Sequence, residues 1–368
     1  SWGAREAEVA GLGGLVELAS SGPVLAIWTT RQLWFDGLVN GMVFGLLALG
    51  IVLVYRSTRV INLAVGNMGL PAVGLMALMV INYGFPYWVA LAIAVVVGTL
   101  IGATVELAVI RRLSDAPRVI VLVATIGVAQ LMQAVLAAFP DIERQRGVRF
   151  PVPIGGKWND FLGLRITGPK LTIIVMVPLL VLALAWFLNR TVFGQTVQAS
   201  ASNADLARLS GIDPKIVSLF VWTVAGALSS VSLLLLSGNR GAITGIPNLG
   251  PNTMTRALAA AVIAGMVSFP RALLAGVVIG IAQAHVQFVF LDQMGLVDLL
   301  IFVVVAIAVA FQSRSSIDEE GSFSFSPRRR PVPQRLKQLW WVRGLPVITL
   351  GLLATVATVA PLLVSRPS

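Results

Sequence analysis

The sequence predicts an all-α, polytopic transmembrane helical bundle of about 8–9 spans with one further C-terminal span, and three observations predict it. Charged residues make up only 12% of the 368 and hydrophobic ones 57%, at a mean hydropathy of +0.88, whereas soluble domains carry about 25% charged residues. Apolar runs of about 20 residues recur along the chain, the length that crosses a bilayer at about 1.5 Å per residue. The basic residues fall mostly between those runs, so the formal net charge of +11 reads as membrane orientation rather than as a nucleic-acid surface. Cysteine is absent, which excludes a disulfide framework and a thiolate metal site.

Residues 1–32 form an amphipathic or loosely ordered lead-in. They contain Glu6, Glu8 and Glu17 and lack the basic start of a signal peptide. The chain opens on Ser and stops just after an apolar run, and it reads as a processed chain or a piece of something longer. The first span is Leu33–Tyr55, with Asn40 inside it and Arg56 and Arg59 directly after. The second, Val60–Tyr83, is interrupted by Asn62, Gly66, Asn67, Gly69 and Pro71. Broken backbone at membrane depth is tolerated where protein buries it or where it borders a water-filled cavity.

The third span, Tyr87–Ile110, ends in Arg111 and Arg112, and the fourth is Val119–Phe139. Pro140–Lys170 is a polar loop rich in Gly and Pro, and Leu171–Leu188 is the fifth span. After the polar stretch Asn189–Lys215 comes the sixth span, Ile216–Ser237, then a Gly/Pro loop from Asn239 to Asn252. Met254–Val267 is short for a full span, and Arg271–Leu291 and Leu296–Phe311 complete the bundle at residues 33–311. Residues 312–344, with Asp318, Glu319, Glu320 and Arg328 to Arg330, are a polar cytoplasmic linker. Residues 345–368 open another span. Placing Arg56, Arg59, Arg111, Arg112 and the 189–215 stretch inside puts the amino terminus outside. Basic residues in the 140–170 loop work against that bias, and acidic residues in the same loop partly balance them.

The stretch 189–215 is longer than a chain reversal needs. Asn203 suits an N-cap with Asp205 in the first turn, Gly211 suits a left-handed residue past the last turn, and Pro214 stops the helix from resuming. A capped short helix of small and apolar residues between two spans reads as a docking element. The plainer alternative is an interfacial helix that only connects them.

Thr191, Gly194, Ala199, Asn203, Ala207, Leu209, Gly211 and Ile212 resemble the cytoplasmic coupling loop of branched-chain amino acid ABC importer permeases. The resemblance extends over roughly residues 33–311. Asn40-Gly41 with Ala48-Leu49-Gly50, then Ile61 to Gly69, is similar to the family's opening signature. Ala124-Thr125-Ile126-Gly127 resembles its fourth-span motif, and Ala257–Ala284 its glycine-rich penultimate segment. The chain departs from the pattern at Val65 and Asn67, where the family usually carries His and Asp, and this leaves a neutral site. Gln195 and Gln198 stand where basic residues are common, and Ala264 and Arg271 where glycine is.

The resemblance implies a permease subunit of an ATP-driven importer for branched-chain or other small amino acids in the bacterial inner membrane. It implies two ATP-binding subunits docked at Gly194, Ala199, Ser200, Asn203, Ala207, Leu209, Gly211 and Ile212, a second permease domain or subunit, and an extracytoplasmic substrate-binding protein. The family's partner permease begins much as Lys337–Val364 does, so 345–368 is expected to be the first span of a second permease domain in a fusion.

The residues themselves bear on the same question. Asn40, Asn62, Asn67, Thr125, Gln130 and Gln133 are polar at spanning positions, where an unpaired amide costs several kcal/mol. They either bond between helices or border a translocation pathway, for which Asn40, Asn62, Asn67 and Thr125 are the candidates. Glu106, about one turn inside the cytoplasmic end of its helix, is expected to pair with a nearby Arg rather than relay protons, and the sole histidine, His285, reads as a satisfied core residue. No G-x-x-x-x-G-K-[ST], H-E-x-x-H or G-x-S-x-G motif occurs. No catalytic site, metal or cofactor is therefore expected on this chain, and ATP belongs to another subunit.

Two other readings compete. A permease of the same family for urea or short amides has an equally neutral pathway. An ion-coupled secondary transporter needs acidic residues deep in its spans, and only Glu106 comes close.

Overall fold

The computed structural model describes residues 31–114, 116–139, 149–153, 157–161, 164–202, 207, 209–241, 246–289 and 295–311. The lead-in before Arg31, the linker 312–344, the C-terminal span 345–368 and the cap residues Asn203 and Asp205 lie outside the described residues. Contacts divide the chain into two compact units, Ser1–Val309 and Ala310–Ser368, and the bundle below is the first of them.

The bundle is built around α1 (Arg31–Thr58), in which every residue from Val43 to Val54 is buried. Three glycines let it approach α10 (Phe269–Val289) at backbone distance. A Cβ on Gly41 would lie 2.5 Å from the Val277 Cα, and one on Gly280 would lie 2.4 Å from the Gly41 Cα. Gly37 meets Ile281 and Gly45 meets Leu273, so the two helices run antiparallel. Lipid gives no hydrophobic drive between helices, and such small-residue seams supply dispersion contact instead. α1 ends where Arg59 adopts φ 56 and returns its N–H to the Tyr55 carbonyl at 2.8 Å.

The second span is broken as its sequence implies. A single turn, α2 (Val65–Met68), is followed by Gly69 and then by α3 (Leu70–Ala77), which continues as a π-turn to Asn82. Pro71 falls in the first turn of α3, where its missing N–H costs nothing. α4 (Tyr87–Val105) continues through a π-turn, Glu106–Ile110, and a 3₁₀ turn, Arg111–Leu113. α5 (Arg118–Ala137) buries Val121, Thr125, Val128, Ala129, Met132 and Leu136, a stripe at helical spacing, and leaves Val123, Ile126 and Leu131 exposed.

The loop before the fifth span carries a structure its Gly/Pro composition hid. β1 (Lys157–Phe161) and β2 (Leu164–Thr167) form an antiparallel hairpin with Lys157 opposite Thr167. The hairpin is tied to the start of α1, where the Arg165 N–H donates to Gln32 Oε1 at 2.8 Å. Lys170, just after β2, pairs with Asp36 at 2.6 Å. The sheet is a rim on an all-α bundle.

α6 (Gly168–Arg190) is peripheral, with Val175, Leu179, Leu182 and Trp186 exposed. α7 (Val192–Ser202) follows almost at once. α8 (Pro214–Arg240) starts on Asp213, whose carboxylate accepts from the Lys215 N–H at 2.9 Å, and ends on Gly241 at φ 70. Its Trp222 and Gly226 pack against Gly102 of α4.

α9 (Ile246–Ile263) corrects the boundary expected at Met254, since the helix begins eight residues earlier in the segment taken for a loop. Pro247 sits in its opening turn, and Pro251 is accommodated farther in. α11 (Gly295–Phe311) ends the described bundle.

Among the described residues, seven helices are long and apolar enough to cross a membrane, against the 8–9 expected. α9 and the 17-residue α11 account for the difference. Arg56 lies over the Phe269 ring at 5.0 Å, and an Arg111 nitrogen reaches the Lys215 carbonyl at 3.5 Å. Arg111 thus meets Lys215, at the end of the polar stretch 189–215.

Candidate functional site: the broken second span and the 189–215 loop

The break in the second span is held by polar groups from two other helices and by close packing from a third. Asn62 Oδ1 accepts from the Ala64 N–H at 2.9 Å and so starts the short turn α2, while its Nδ2 rests on the Met68 sulfur at 3.5 Å. The Leu63 N–H donates to Thr125 Oγ1 at 3.3 Å, and Asn67 Nδ2 donates to the Ala129 carbonyl at 3.2 Å, so both bonds run to α5. From α8, the Ser229 hydroxyl accepts from the Gly69 N–H at 2.9 Å and donates to the Val65 carbonyl. From α9, Gly250 and Met254 press against Gly66 and Asn67. A Cβ on Gly66 would lie 2.4 Å from the Met254 Cβ.

Asn62, Asn67 and Thr125 are therefore brought together around one break, each buried in this conformation. Asn40 is elsewhere: its Oδ1 accepts from Asn239 Nδ2 at 2.9 Å, joining α1 to the end of α8. Of Asn67, the Oδ1 is buried without a hydrogen-bond partner. None of the side chains named in this cluster is ionisable. Gln130 on α5 is exposed, and Gln133 is half-buried.

Two residues at this break, one polar and one a close-packed glycine, give little or no sequence signal of their own. Ser229 stands in an apolar run with nothing to mark it, and Gly250 is one of several glycines in a presumed loop. A third feature, on another face of α9, was readable. Arg256 is buried and hydrogen-bonded to Gln283 of α10 and to the Asn252 carbonyl, with Asp298 of α11 at 3.5 Å. A charge inside an apolar segment is a signal in itself. Glu106 pairs with Arg111 at 3.6 Å, as expected, and Ser218 of α8 approaches the same carboxylate. His285 makes a hydrogen bond with the Ile281 carbonyl at 2.8 Å and an edge contact with Trp34.

In the 189–215 loop, Thr191 caps the start of α7 (Val192–Ser202). Its hydroxyl accepts from the Gly194 N–H at 2.9 Å and donates to the Phe187 carbonyl at 2.7 Å. α7 thereby folds back onto the end of α6 so tightly that a Cβ on Gly194 would lie 2.3 Å from the Phe187 oxygen. Phe193 packs edge-on against Phe220 of α8, which stacks on Phe187.

Of the other loop residues singled out, Ser200 and Ala207 are buried and Ile212 is half-buried. The Ile212 N–H returns to the Ala207 carbonyl at 3.0 Å, closing the turn around Gly211 at φ 81. Ala199 and Gly211 are exposed, and Leu209 is 86% exposed. Val192, not among the expected contacts, is 82% exposed beyond the same end of the bundle. Asn203 is outside the described residues.

The family described as branched-chain amino acid transport system, permease component, matches residues 33–310. The chain is 27% identical over 280 residues to the high-affinity branched-chain amino acid transport system permease protein BraD of Pseudomonas aeruginosa, covering 73% of this chain and 89% of that protein. It is 27% identical over 268 residues to the permease protein LivH of Escherichia coli, covering 69% and 84%. To the probable branched-chain amino acid transport permease protein LivH of Methanocaldococcus jannaschii it is 28% identical over 253 residues, covering 68% and 79%. These relatives are transport permeases, and the matched region takes in the broken span, its three supporting helices and the 189–215 loop. This chain is a multi-pass membrane permease and belongs to the branched-chain amino acid transport permease family.

Proposed function

We propose that this chain is the membrane-spanning subunit of an ATP-driven importer for branched-chain or other small amino acids in the bacterial inner membrane. The observation that carries the reading is the family match over 33–310, nearly the whole described bundle. The neutral cluster at the broken second span agrees with a substrate that carries no net charge. Asn62, Asn67 and Thr125 would border the path when the helices around α2 separate, and Asn40 would lie nearer the outer end.

ATP hydrolysis belongs to two separate subunits, because this chain has no phosphate-cradling loop. They would dock on the loop 189–215, where exposed apolar residues stand at the basic, cytoplasmic end of the bundle. Val192 and Leu209 are the side chains available to fill grooves there. A second permease domain would complete the pore, and an extracytoplasmic protein would deliver substrate.

Uptake of labelled leucine and urea tests the reading in cells that express the chain together with ATP-binding subunits and a substrate-binding protein of the same family. Leucine accumulation that disappears when this chain is deleted is the expected result. Urea accumulation without leucine would move the substrate to amides, and uptake that survives ATP depletion would end the ATP-driven reading.

A further inference from the structure

We infer that Gln198 is a positioning residue for coupling, fixing α7 to the end of α6 so that a push on the loop reaches α1 and α10. The inference rests on the reading of this chain as an ATP-driven permease.

The geometry is a double strut. The last carbonyls of a helix have no partner within it, and two of those at the end of α6 are answered from the loop. Thr191 takes the Phe187 carbonyl through both its N–H, at 3.1 Å, and its hydroxyl, at 2.7 Å. Gln198 takes the next one, its Nε2 donating to the Leu188 carbonyl at 2.7 Å and to Asn189 Oδ1 at 3.1 Å. The two contacts sit at opposite ends of two turns of α7, so together they fix both its position and its roll on α6.

With its roll fixed, α7 presents Val197 to a crevice shared with Leu53 and Arg56 from the end of α1 and with Phe269 from the start of α10. Arg56 stacks over Phe269 at 5.0 Å. α1 and α10 are closed on each other by Gly41, Gly45, Gly276 and Gly280 at backbone distance, so a displacement delivered at this corner moves them as a pair. Gln195, one turn earlier, is exposed.

What the strut requires of residue 198 is a donor. Glutamate has nearly the shape of glutamine but presents only acceptors at pH 7 and repels the Leu188 carbonyl. Lysine differs in shape and keeps the donor.

The test uses the whole transporter, the chain purified with its ATP-binding subunits and reconstituted with its binding protein. ATP hydrolysed and leucine taken up are measured in the same vesicles for wild type, Gln198→Glu and Gln198→Lys. Gln198→Glu is expected to keep its ATPase subunits and hydrolyse ATP while uptake per ATP falls at least about tenfold, and Gln198→Lys to stay within about threefold of wild type. Unchanged uptake per ATP in Gln198→Glu overturns the inference. Equal losses in both variants overturn it too, since the donor is then not what matters. Loss of the ATPase from Gln198→Glu alone would make the residue a docking contact and also overturn it. If the wild-type chain retains no ATPase subunit at all, it is the ATP-driven reading that fails, a result separate from the other three.

Discussion

Asn67 Oδ1 lies where the side chain of Gly250 would be: a Cβ built on that glycine falls 2.1 Å from the oxygen. The contact joins the broken second span to α9 at a point where any added atom forces them apart. Gly250→Ala is therefore expected to cost about 1–3 kcal/mol as an overpacked contact, read as a lower melting temperature of the purified permease. Asn67→Ala in the same chain removes the nearest of these contacts, leaving the Gly66 carbonyl at 2.9 Å, and the double variant should lose less than the sum of the two single losses. Additive losses in the double variant would show that the two residues do not act on each other.

Ser229 holds the break from the other side. Ser229→Ala removes the hydroxyl shared by the Gly69 N–H and the Val65 carbonyl, both at membrane depth. A cost of about 1–3 kcal/mol is expected from the two under-satisfied backbone groups. Ser229→Thr retains the hydroxyl and tests whether the bond, rather than the space, is what counts. Thermal stability of the three proteins in one detergent decides this, and Ser229→Ala as stable as wild type would mean the bond contributes nothing.

Arg256 and Asp298 should behave unequally although they form one ion pair. The guanidinium is buried and bonded to Gln283 and Asn252, whereas the Asp298 side chain is 63% exposed. Asp298→Asn is expected to cost under about 1 kcal/mol, in the range of exposed pairs. Arg256→Met strips a charge-assisted hydrogen bond from Gln283 and should cost about 1.5–3 kcal/mol. Equal losses on thermal unfolding would contradict this ordering.

The span pattern was legible because crossing a bilayer demands length and apolarity at once, and Asn62, Gly66, Asn67, Gly69 and Pro71 marked the broken span for the same reason. Three things were not legible, each because local chemistry points the other way. α9 begins at Ile246, under Pro247 and Pro251, which read as loop residues until tertiary packing on Gly66 holds them in a helix. The hairpin at 157–167 is fixed by long-range bonds to Gln32 that no local pattern carries. α7 has Gly194 in its first turn, a poor helix former, present because α6 leaves no room for a side chain. The cluster of Asn62, Asn67 and Thr125 was nameable residue by residue. Its supports, Ser229 and Gly250, were not, since a hydroxyl or a glycine in an apolar run is usually plain packing.

The central claim, that the loop 189–215 is where the ATP-binding subunits engage this permease, is tested most directly at Leu209. Ala207 is buried, so a charge there would disturb the permease itself, but Leu209 is 86% exposed and can be changed without touching the bundle. An apolar anchor at an interface centre contributes about 2 kcal/mol or more, about thirtyfold in affinity. The measurement is co-purification of the ATPase subunits with Leu209→Asp from membranes, alongside leucine uptake. The account predicts a permease at normal abundance in the membrane that has lost its ATPase and no longer transports. Normal ATPase recovery with normal uptake would contradict it and leave this stretch a connecting loop.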